Sequence, residues 1–284
     1  MKRFIIIFII ILILSGCGSP NSGTDAPESP TIPEIAHLPP AHEEIAQPVA
    51  PETLILTIQE GYTLWRIGMT LEEMGVCTAV EFIEAAQTGD FSEFPLVAAQ
   101  TPNPNRFLAL EGYLFPGVYE IYAAEPPEAI IRRILANTER MIDEELRLVI
   151  AQGGYTVDEI LTIASIIQKE SLGNDAAKPL VSSVIHNRLN TGMMLQMCYT
   201  SFYVRDYIDT FFDGEPHPFA EHYNTYICHA LPAGAICNPG LSAIRAALLP
   251  AETDYFFYIW DNDGNFHFAA RWEEHVANVE RYLR

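Results

Sequence analysis

TVDEILTIASIIQKES, the stretch Thr156–Ser171, contains a complete signal for an amphipathic helix. Thr156 and Glu159 stand at capping-box spacing, so each side chain can accept a free backbone N–H group at the start of a helix. Apolar residues then recur at helical spacing and form one stripe: Ile160, Ile163, Ala164 and Ile167. The pattern predicts a helix that begins at Thr156 and buries this stripe in the core.

Glu170 lies near the carboxyl end of this predicted helix, on the flank of the apolar stripe. It follows Ile167 by one helical turn, whereas Lys169 projects to the opposite side. A carboxyl group there is half-shielded from water and close to the negative end of the helix dipole, and both conditions favour its protonated form. Glu170 is therefore a candidate general acid, although a solvated surface glutamate is the commoner case at such a position.

The amino-terminal sequence predicts that the protein is exported from the cytoplasm. Lys2 and Arg3 precede the apolar run Phe4–Leu14. The run is too short to cross a bilayer, which takes about 20 residues, but it suits a secretory signal. The ending LSGC resembles a bacterial lipobox, so residues 1–17 are read as a lipoprotein signal with Cys17 as the lipidation site. An uncleaved anchor or an ordinary signal peptide is the alternative, and each places the rest of the chain outside the cytoplasm.

Two further segments follow the signal. Residues 18–52 are crowded with Pro, Ser, Glu and Ala, a composition that predicts a disordered, Pro-rich linker. The remaining chain, roughly 230 residues, is long enough for one large domain or for a medium domain with a small module.

Charge and cysteine content exclude several classes of function. The formal net charge is −21, and no cluster of Lys and Arg outside the first three residues offsets it, so we expect no nucleic-acid or anionic-lipid binding face. Besides Cys17 there are four cysteines, which can pair in three ways: Cys77, Cys198, Cys228 and Cys237. A metal site built from Cys228, His229 and Cys237 lacks a recognised ligand spacing, so no metal site is predicted.

The segment after the linker predicts a small module, residues 53–105. A short strand from Thr53 leads to a turn at Glu60-Gly61, then to one helix from Thr63 and a second helix over Ala79–Gln87. This order resembles the LysM-like module, whose relatives bind glycans that contain N-acetylglucosamine. Structural support without glycan contact is the alternative.

The carboxyl-terminal part predicts further elements. Asn238 is expected to cap a helix that continues to about Leu249, where Pro250 stops it. Tyr255–Trp260 and Phe266–Ala269 flank a turn sequence and predict a hairpin whose aromatic residues belong to the core. A last amphipathic helix is expected after the hairpin, from Trp272 to Leu283. The predicted fold class is α+β: the small LysM-like module, then a mixed helical catalytic domain with a small sheet, residues 106–284.

Several ordered motifs together carry a family resemblance. The chain resembles the MltG (YceG-like) endolytic murein transglycosylases from about Thr53 to its end, in EGYLFP (111–116), LTIASIIQKES (161–171), NRL (187–189), GM (192–193), LQ (195–196), YNTY (223–226), LPAG (231–234) and CNPG (237–240). The resemblance implies cleavage of the β-1,4 bond between N-acetylmuramic acid and N-acetylglucosamine in peptidoglycan, with a 1,6-anhydro end left behind. Glu170 would be the catalytic acid and base, and no cofactor is implied.

The resemblance also implies substrate contacts and partners. Four residues in its motifs are expected to bind the saccharide or to stabilise loops: Gln196, Thr200, Asn224 and Tyr226. Asn187 and Arg188 are expected instead to tie their helix to the Glu170 helix. The expected partners are peptidoglycan strands, a membrane reached through the lipid or a short anchor, and a peptidoglycan synthase, with no nucleic acid.

Two departures from the family pattern bear on activity. Relatives usually have E-K-E where this chain has Gln168-Lys169-Glu170. They also usually have Ser or Thr, Asp and Pro where this chain has Met197, Cys198 and Tyr199. Retention of Glu170 favours an enzyme. The Cys198 segment favours the alternative, a catalytically weak glycan-binding or scaffold lipoprotein of the cell-elongation machinery.

Overall fold

A computed structural model of the protein describes residues 52–215 and 217–283. The predicted signal with Cys17, and all of the predicted linker except Glu52, lie outside the described residues. Within the described ranges, every helix is too short or too polar to span a lipid bilayer.

The fold is α+β, as the sequence predicts: the described residues are mainly helical and form two small sheets. The first half of the described chain contains β1 (Thr53–Ile58), α1 (Leu64–Glu73), α2 (Ala79–Thr88), α3 (Pro95–Ala98), β2 (Gly117–Tyr122), α4 (Pro127–Met141) and α5 (Glu144–Gln152). The second half contains α6 (Val157–Glu170), α7 (Lys178–Thr191), α8 (Cys198–Tyr203), a π-helical turn (Val204–Ile208), α9 (Asp209–Phe211), α10 (Ala220–Tyr223), α11 (Leu241–Leu248), β3 (Phe257–Trp260), β4 (Phe266–Ala269) and α12 (Trp272–Tyr282).

The first sheet joins two distant parts of the sequence. β1 pairs with β2 antiparallel, from Thr53 opposite Tyr122 to Ile58 opposite Gly117. Alternate residues of each strand are buried against α1 and α4, which is the pattern of a sheet covered on one face. The strand that completes this sheet therefore lies beyond residue 105. The boundary between a module of residues 53–105 and a domain of residues 106–284 stays a prediction.

α6 is the central helix of the fold. Its predicted start is confirmed, because Thr156 and Glu159 form a reciprocal capping box. The sequence predicted one apolar stripe, but residues 160–168 are all buried, because α5, α7, α8 and α11 surround the helix. A helix buried on nearly every side belongs to the middle of a core. Glu170, its last residue, is held in place by that packing.

Asn238 has a different role from the predicted one. α11 begins at Leu241 with Gly240 as its N-cap, so the prediction that Asn238 caps this helix is wrong. The Asn238 side chain is fully buried; its Oδ1 accepts from Gly112 N at 3.1 Å and from Leu114 N at 2.8 Å. Its Nδ2 donates to Tyr62 O at 3.0 Å. Asn238 thus connects the turn before α1 to the EGYLFP segment.

Gly112 lies at the centre of this connection. Its φ of +93° is the left-handed region, and a Cβ atom there would lie 2.5 Å from Ala235 Cβ. Only glycine fits such a backbone beside so close a neighbour. The glycine of the EGYLFP motif is therefore required by packing.

The four described cysteines are free thiols. Cys237 is fully buried and its thiol donates to Ser165 O at 3.4 Å, while the thiol of Cys228 donates to Ala230 O at 3.4 Å. None of the three disulfide pairings left open by the sequence forms among them.

Candidate active site

Glu170 is a buried carboxyl group with two hydrogen-bond donors. Only 1% of the residue is exposed. Its Oε2 accepts from the Tyr258 hydroxyl at 2.7 Å, and its Oε1 accepts from Tyr199 N at 3.1 Å. The sequence predicted a half-shielded side chain. The burial is greater because α8 and β3, both distant in sequence, cover the end of α6.

Burial raises the pKa of Glu170 above its ordinary value. The Tyr258 hydroxyl opposes this shift most strongly, followed by the backbone N–H groups of Tyr199 and Cys198 and the charge of Arg188, since all four stabilise the carboxylate. The direction of the pKa shift agrees with the sequence argument. The site can therefore hold a neutral acid and can also stabilise its anion, the two states that a group needs to donate and then recover a proton.

A cleft of about 820 Å³ opens beside Glu170. This volume lies in the upper part of the range for small-molecule sites, about 300–1,000 Å³. The walls come from the end of α6, the loop before α8, the β3–β4 hairpin and α12. A long polymer can lie in such an open groove with one of its bonds next to Glu170.

Gln196 and Tyr226 line the cleft, and their expected role as substrate ligands stays a prediction. Gln196 is exposed and its backbone is left-handed, with a φ of +48°. Its backbone N–H donates to Thr225 O at 3.0 Å, which fixes the main chain of this cleft-lining residue. Tyr226 is 44% exposed, and its hydroxyl lies 3.2 Å from the Cys198 thiol.

Thr200 and Asn224 are not among the residues that line the cleft, and their expected binding of substrate stays a prediction. Thr200 is fully buried, and its hydroxyl bonds to Met197 O at 2.7 Å and to the Thr225 hydroxyl at 2.8 Å. Asn224 Oδ1 accepts from Tyr226 N at 3.0 Å, a local turn. Both side chains bond within the loops that carry cleft-lining residues. Stabilisation of these loops is the alternative that the sequence left open.

Tyr258 lies in the cleft, at a position that the sequence does not indicate. The aromatic residues of the hairpin were expected to belong to the core, yet Tyr258 lines the cleft and bonds to Glu170. Its hydroxyl also lies 3.2 Å from Met197 Sδ. Glu170 and Tyr258 are 88 positions apart, and no local pattern in either segment indicates that they meet.

Arg188 also lines the cleft, and its contacts differ from the predicted ones. Its Nε donates to Phe256 O at 2.7 Å and its Nη1 to Leu195 O at 2.5 Å. Asn187 Nδ2 donates to Tyr255 O at 2.9 Å. The hydrogen bonds of these two residues therefore tie α7 to the hairpin and to the loop before α8, whereas Arg188 acts on Glu170 through its charge.

The two departures from the family pattern have different surroundings. Gln168 lies away from the cleft, and its Oε1 accepts from Gly240 N at 3.1 Å at the start of α11. Met197 and Cys198 line the cleft directly. Only the second departure changes the surface that a substrate meets.

Metal ligation has no evident place in the described part of the chain. Within residues 52–215 and 217–283, no group of three or more His, Cys, Asp or Glu side chains is arranged to hold a metal ion.

The chain is similar to known proteins. The YceG-like family model matches residues 34–281. An endolytic murein transglycosylase of Streptococcus pneumoniae is 28% identical over 260 residues, which cover 84% of this chain and 46% of that protein. One from Bacillus subtilis is 29% identical over 242 residues, covering 80% and 65%. The chain thus spans about half the length of the streptococcal relative.

A solved structure is also similar. The crystal structure of a yceG-like protein from Listeria monocytogenes matches with a TM-score of 0.68 at 29% sequence identity. The match covers 81% of this chain and 76% of that one.

Proposed function

Because this chain belongs to the YceG-like family, we propose that it is an endolytic lytic transglycosylase of peptidoglycan that cleaves the β-1,4 bond between N-acetylmuramic acid and N-acetylglucosamine. The relatives named endolytic murein transglycosylases support this assignment. The observation that carries it is the buried carboxyl group of Glu170, with a raised pKa, at the wall of a cleft large enough for a saccharide chain.

One carboxyl group is enough for this reaction. Glu170 first donates its proton to the glycosidic oxygen, so that the bond between that oxygen and C1 of N-acetylmuramic acid breaks. The C6 hydroxyl of the same sugar then attacks C1 and gives its proton to the Glu170 carboxylate, which closes the 1,6-anhydro ring. The acid is regenerated and no water is consumed. A hydrolase, in contrast, needs a second carboxylate as nucleophile or as base for water.

The other carboxylate among the described cleft residues is poorly suited to that second role. Asp261 is committed to the hairpin turn: one oxygen accepts from the His267 ring at 2.9 Å and the other from Asn265 N at 2.9 Å. The His267 contact and the Asn265 N–H hold the pKa of Asp261 well below its usual range. A carboxylate stabilised in this way is a weak base and a weak nucleophile. Among the described cleft residues, Glu170 is therefore the one carboxyl group suited to acid–base chemistry, which supports transglycosylation over hydrolysis.

The amino-terminal part has a structural layout that supports a LysM-like module. β1, α1, α2 and β2 follow one another as strand, helix, helix and strand, with α3 before the last strand. We propose that this part contacts N-acetylglucosamine units of the same glycan.

The LSGC sequence at Leu14–Cys17 supports a lipid anchor on Cys17. We propose that the protein is an extracytoplasmic lipoprotein held at the cell membrane, where it acts on new glycan beside a peptidoglycan synthase. The alternative is a catalytically weak scaffold, which the Met197-Cys198 surface favours.

Digestion of purified sacculi separates the enzyme from the scaffold. We expect the full-length protein, purified in detergent, to release muropeptides with 1,6-anhydro ends, detected by mass spectrometry. Products with reducing ends would indicate a hydrolase instead, and binding without any cleavage would identify the scaffold.

Replacing Tyr258 with Phe is expected to lower kcat/KM by roughly 10-fold, the usual effect of losing one hydrogen bond to a charged group. The pKa of Glu170 should rise further, because the Tyr258 hydroxyl lowers it. The protonated acid is the active form, so activity is present below this pKa and is lost as the pH rises through it. The alkaline limb of the pH profile of kcat/KM should therefore move to higher pH.

Tyr207→Phe is the matched control, since Tyr207 is a tyrosine outside the cleft. Its pH profile should coincide with that of the unaltered protein. An alkaline limb that stays in place in Tyr258→Phe would show that Tyr258 does not act on the titration of Glu170.

A further inference from the structure

The outer edge of β3 carries unpaired main-chain groups. The second sheet has only two strands among the described residues, and Ile259 pairs with His267 while Asp261 N donates to Asn265 O at 3.0 Å. Hydrogen-bonded positions alternate along an antiparallel pair. The N–H and C=O groups of Ile259 and Asp261 therefore face β4, whereas those of Tyr258 and Trp260 point away from it.

The outer edges of β3 and β4 differ in whether any of their main-chain groups is hydrogen-bonded. On β4, the outward Phe268 C=O accepts from Asn278 Nδ2 of α12 at 3.4 Å. On β3, the outward groups of Tyr258 and Trp260 have no hydrogen-bond partner within residues 52–215 and 217–283. The edge of β3 is therefore open to a ligand at both residues, whereas α12 occupies one of the outward groups of β4.

This edge faces the cleft. Five consecutive residues, Phe257–Asp261, line the cleft wall. Successive side chains of a strand point to opposite faces of its sheet, so a groove that both faces line runs along the strand's edge. The outward N–H and C=O groups therefore open into the same space as Glu170.

An unpaired strand edge is complementary to a chain of amides. Tyr258 and Trp260 each offer one N–H donor and one C=O acceptor at this edge. The two residues are about 6.8 Å apart, which is twice the rise per residue of a strand. Extended peptides bind sheet edges through such groups. A saccharide lacks the regular alternation of donors and acceptors that would pair with all of them.

We propose that the outer edge of β3 binds the peptide stem of the peptidoglycan strand through main-chain hydrogen bonds. This inference rests on the proposed transglycosylase function. The stem is attached to the lactyl group of N-acetylmuramic acid, the same sugar whose C1 bond breaks beside Glu170. Tyr258 connects Glu170 to the outer edge of β3, because its side chain bonds to Glu170 at 2.7 Å and its main chain belongs to that edge. The site thus selects strands that carry peptides.

Trp260→Pro and Trp260→Val form a matched pair for the test. Proline at this position removes the outward N–H and leaves the bonds of Ile259 and Asp261 to β4 in place. Valine also removes the indole but keeps the N–H. The substrates are peptide-bearing glycan strands and the same strands stripped of their stems by an amidase.

The unaltered protein and Trp260→Val are expected to form anhydro ends faster on peptide-bearing strands than on stripped strands. In Trp260→Pro this preference should fall roughly fivefold, the effect of one main-chain hydrogen bond. Equal rates of the unaltered protein on both substrates would overturn the inference and leave the transglycosylase in place. No anhydro product from either substrate would overturn the proposed function itself.

Amide hydrogen exchange tests the same inference without altering β3. In the Glu170→Gln protein, peptide-bearing strands should slow exchange at the N–H groups of Tyr258 and Trp260, and stripped strands should not. Equal protection by stripped strands would assign the edge to the saccharide and contradict the proposal, even if Trp260→Pro fails to fold.

Discussion

Glu170→Gln is expected to lower the rate of anhydro-end formation on sacculi by about 10³-fold, within the range of 10²–10⁴ for a lost general acid and base. Gln has the shape of the protonated acid but has no proton to donate at neutral pH. It also cannot take the proton from the C6 hydroxyl in the second step. Both steps of the proposed reaction therefore lose the carboxyl group that transfers the proton.

The buried position of Glu170 makes this substitution informative. The amide oxygen of Gln can still accept from one of the two donors, the Tyr258 hydroxyl or Tyr199 N. Binding of glycan strands should therefore be kept while turnover is lost. The measurement is anhydro-muropeptide yield against time, with sacculus binding measured in parallel.

Glu111→Gln is the matched control. Glu111 is another fully buried glutamate, and burial raises its pKa to about 8. It lies outside the Glu170 cleft, where its oxygens accept from Leu64 N at 3.1 Å and from the Tyr203 hydroxyl at 3.2 Å. We expect this variant to keep most of the turnover. If Glu170→Gln retained a tenth or more of the activity, the acid would have to be sought elsewhere in the cleft.

The parts of the fold that the sequence predicts are those with local signals. The capping box at Thr156 and Glu159 fixes the start of α6, and the turn at residues 261–264 fixes the hairpin of β3 and β4. These signals lie within a few residues of the structure they form. The pairing of β1 with β2 has no such signal, because α1, α2 and α3 separate the two strands.

In the site, as in the fold, some features follow from nearby sequence and others depend on segments that are distant in the chain. The position of Glu170 at the end of α6 follows from helical periodicity, but its complete burial depends on Tyr199 and Tyr258, which other segments supply. Motif membership alone does not show which side chains face the cleft. Thr200 and Tyr226 come from motifs of the same kind, yet one is fully buried under the loop and the other faces the cleft.

Asn238→Ala is expected to destabilise the protein by about 2–6 kcal/mol, because it leaves two buried N–H groups without an acceptor at about 1–3 kcal/mol each. These are the backbone N–H groups of Gly112 and Leu114, which both donate to Asn238 Oδ1. The midpoint of thermal unfolding should fall by roughly 10 °C, since 1 kcal/mol corresponds to about 2–4 °C in a chain of this size.

The loss of stability should be greatest at the junction between the turn before α1 and the helices around Glu170, because Asn238 Nδ2 also donates to Tyr62 O at 3.0 Å. Asn262→Ala is the matched control: Asn262 is exposed in the hairpin loop, and its substitution should stay within about 0.5 kcal/mol. Calorimetry of the two variants compares the same change of side chain in two environments. Equal midpoints would mean that backbone contacts alone, such as Gly61 N to Asn238 O at 2.8 Å, hold the junction together.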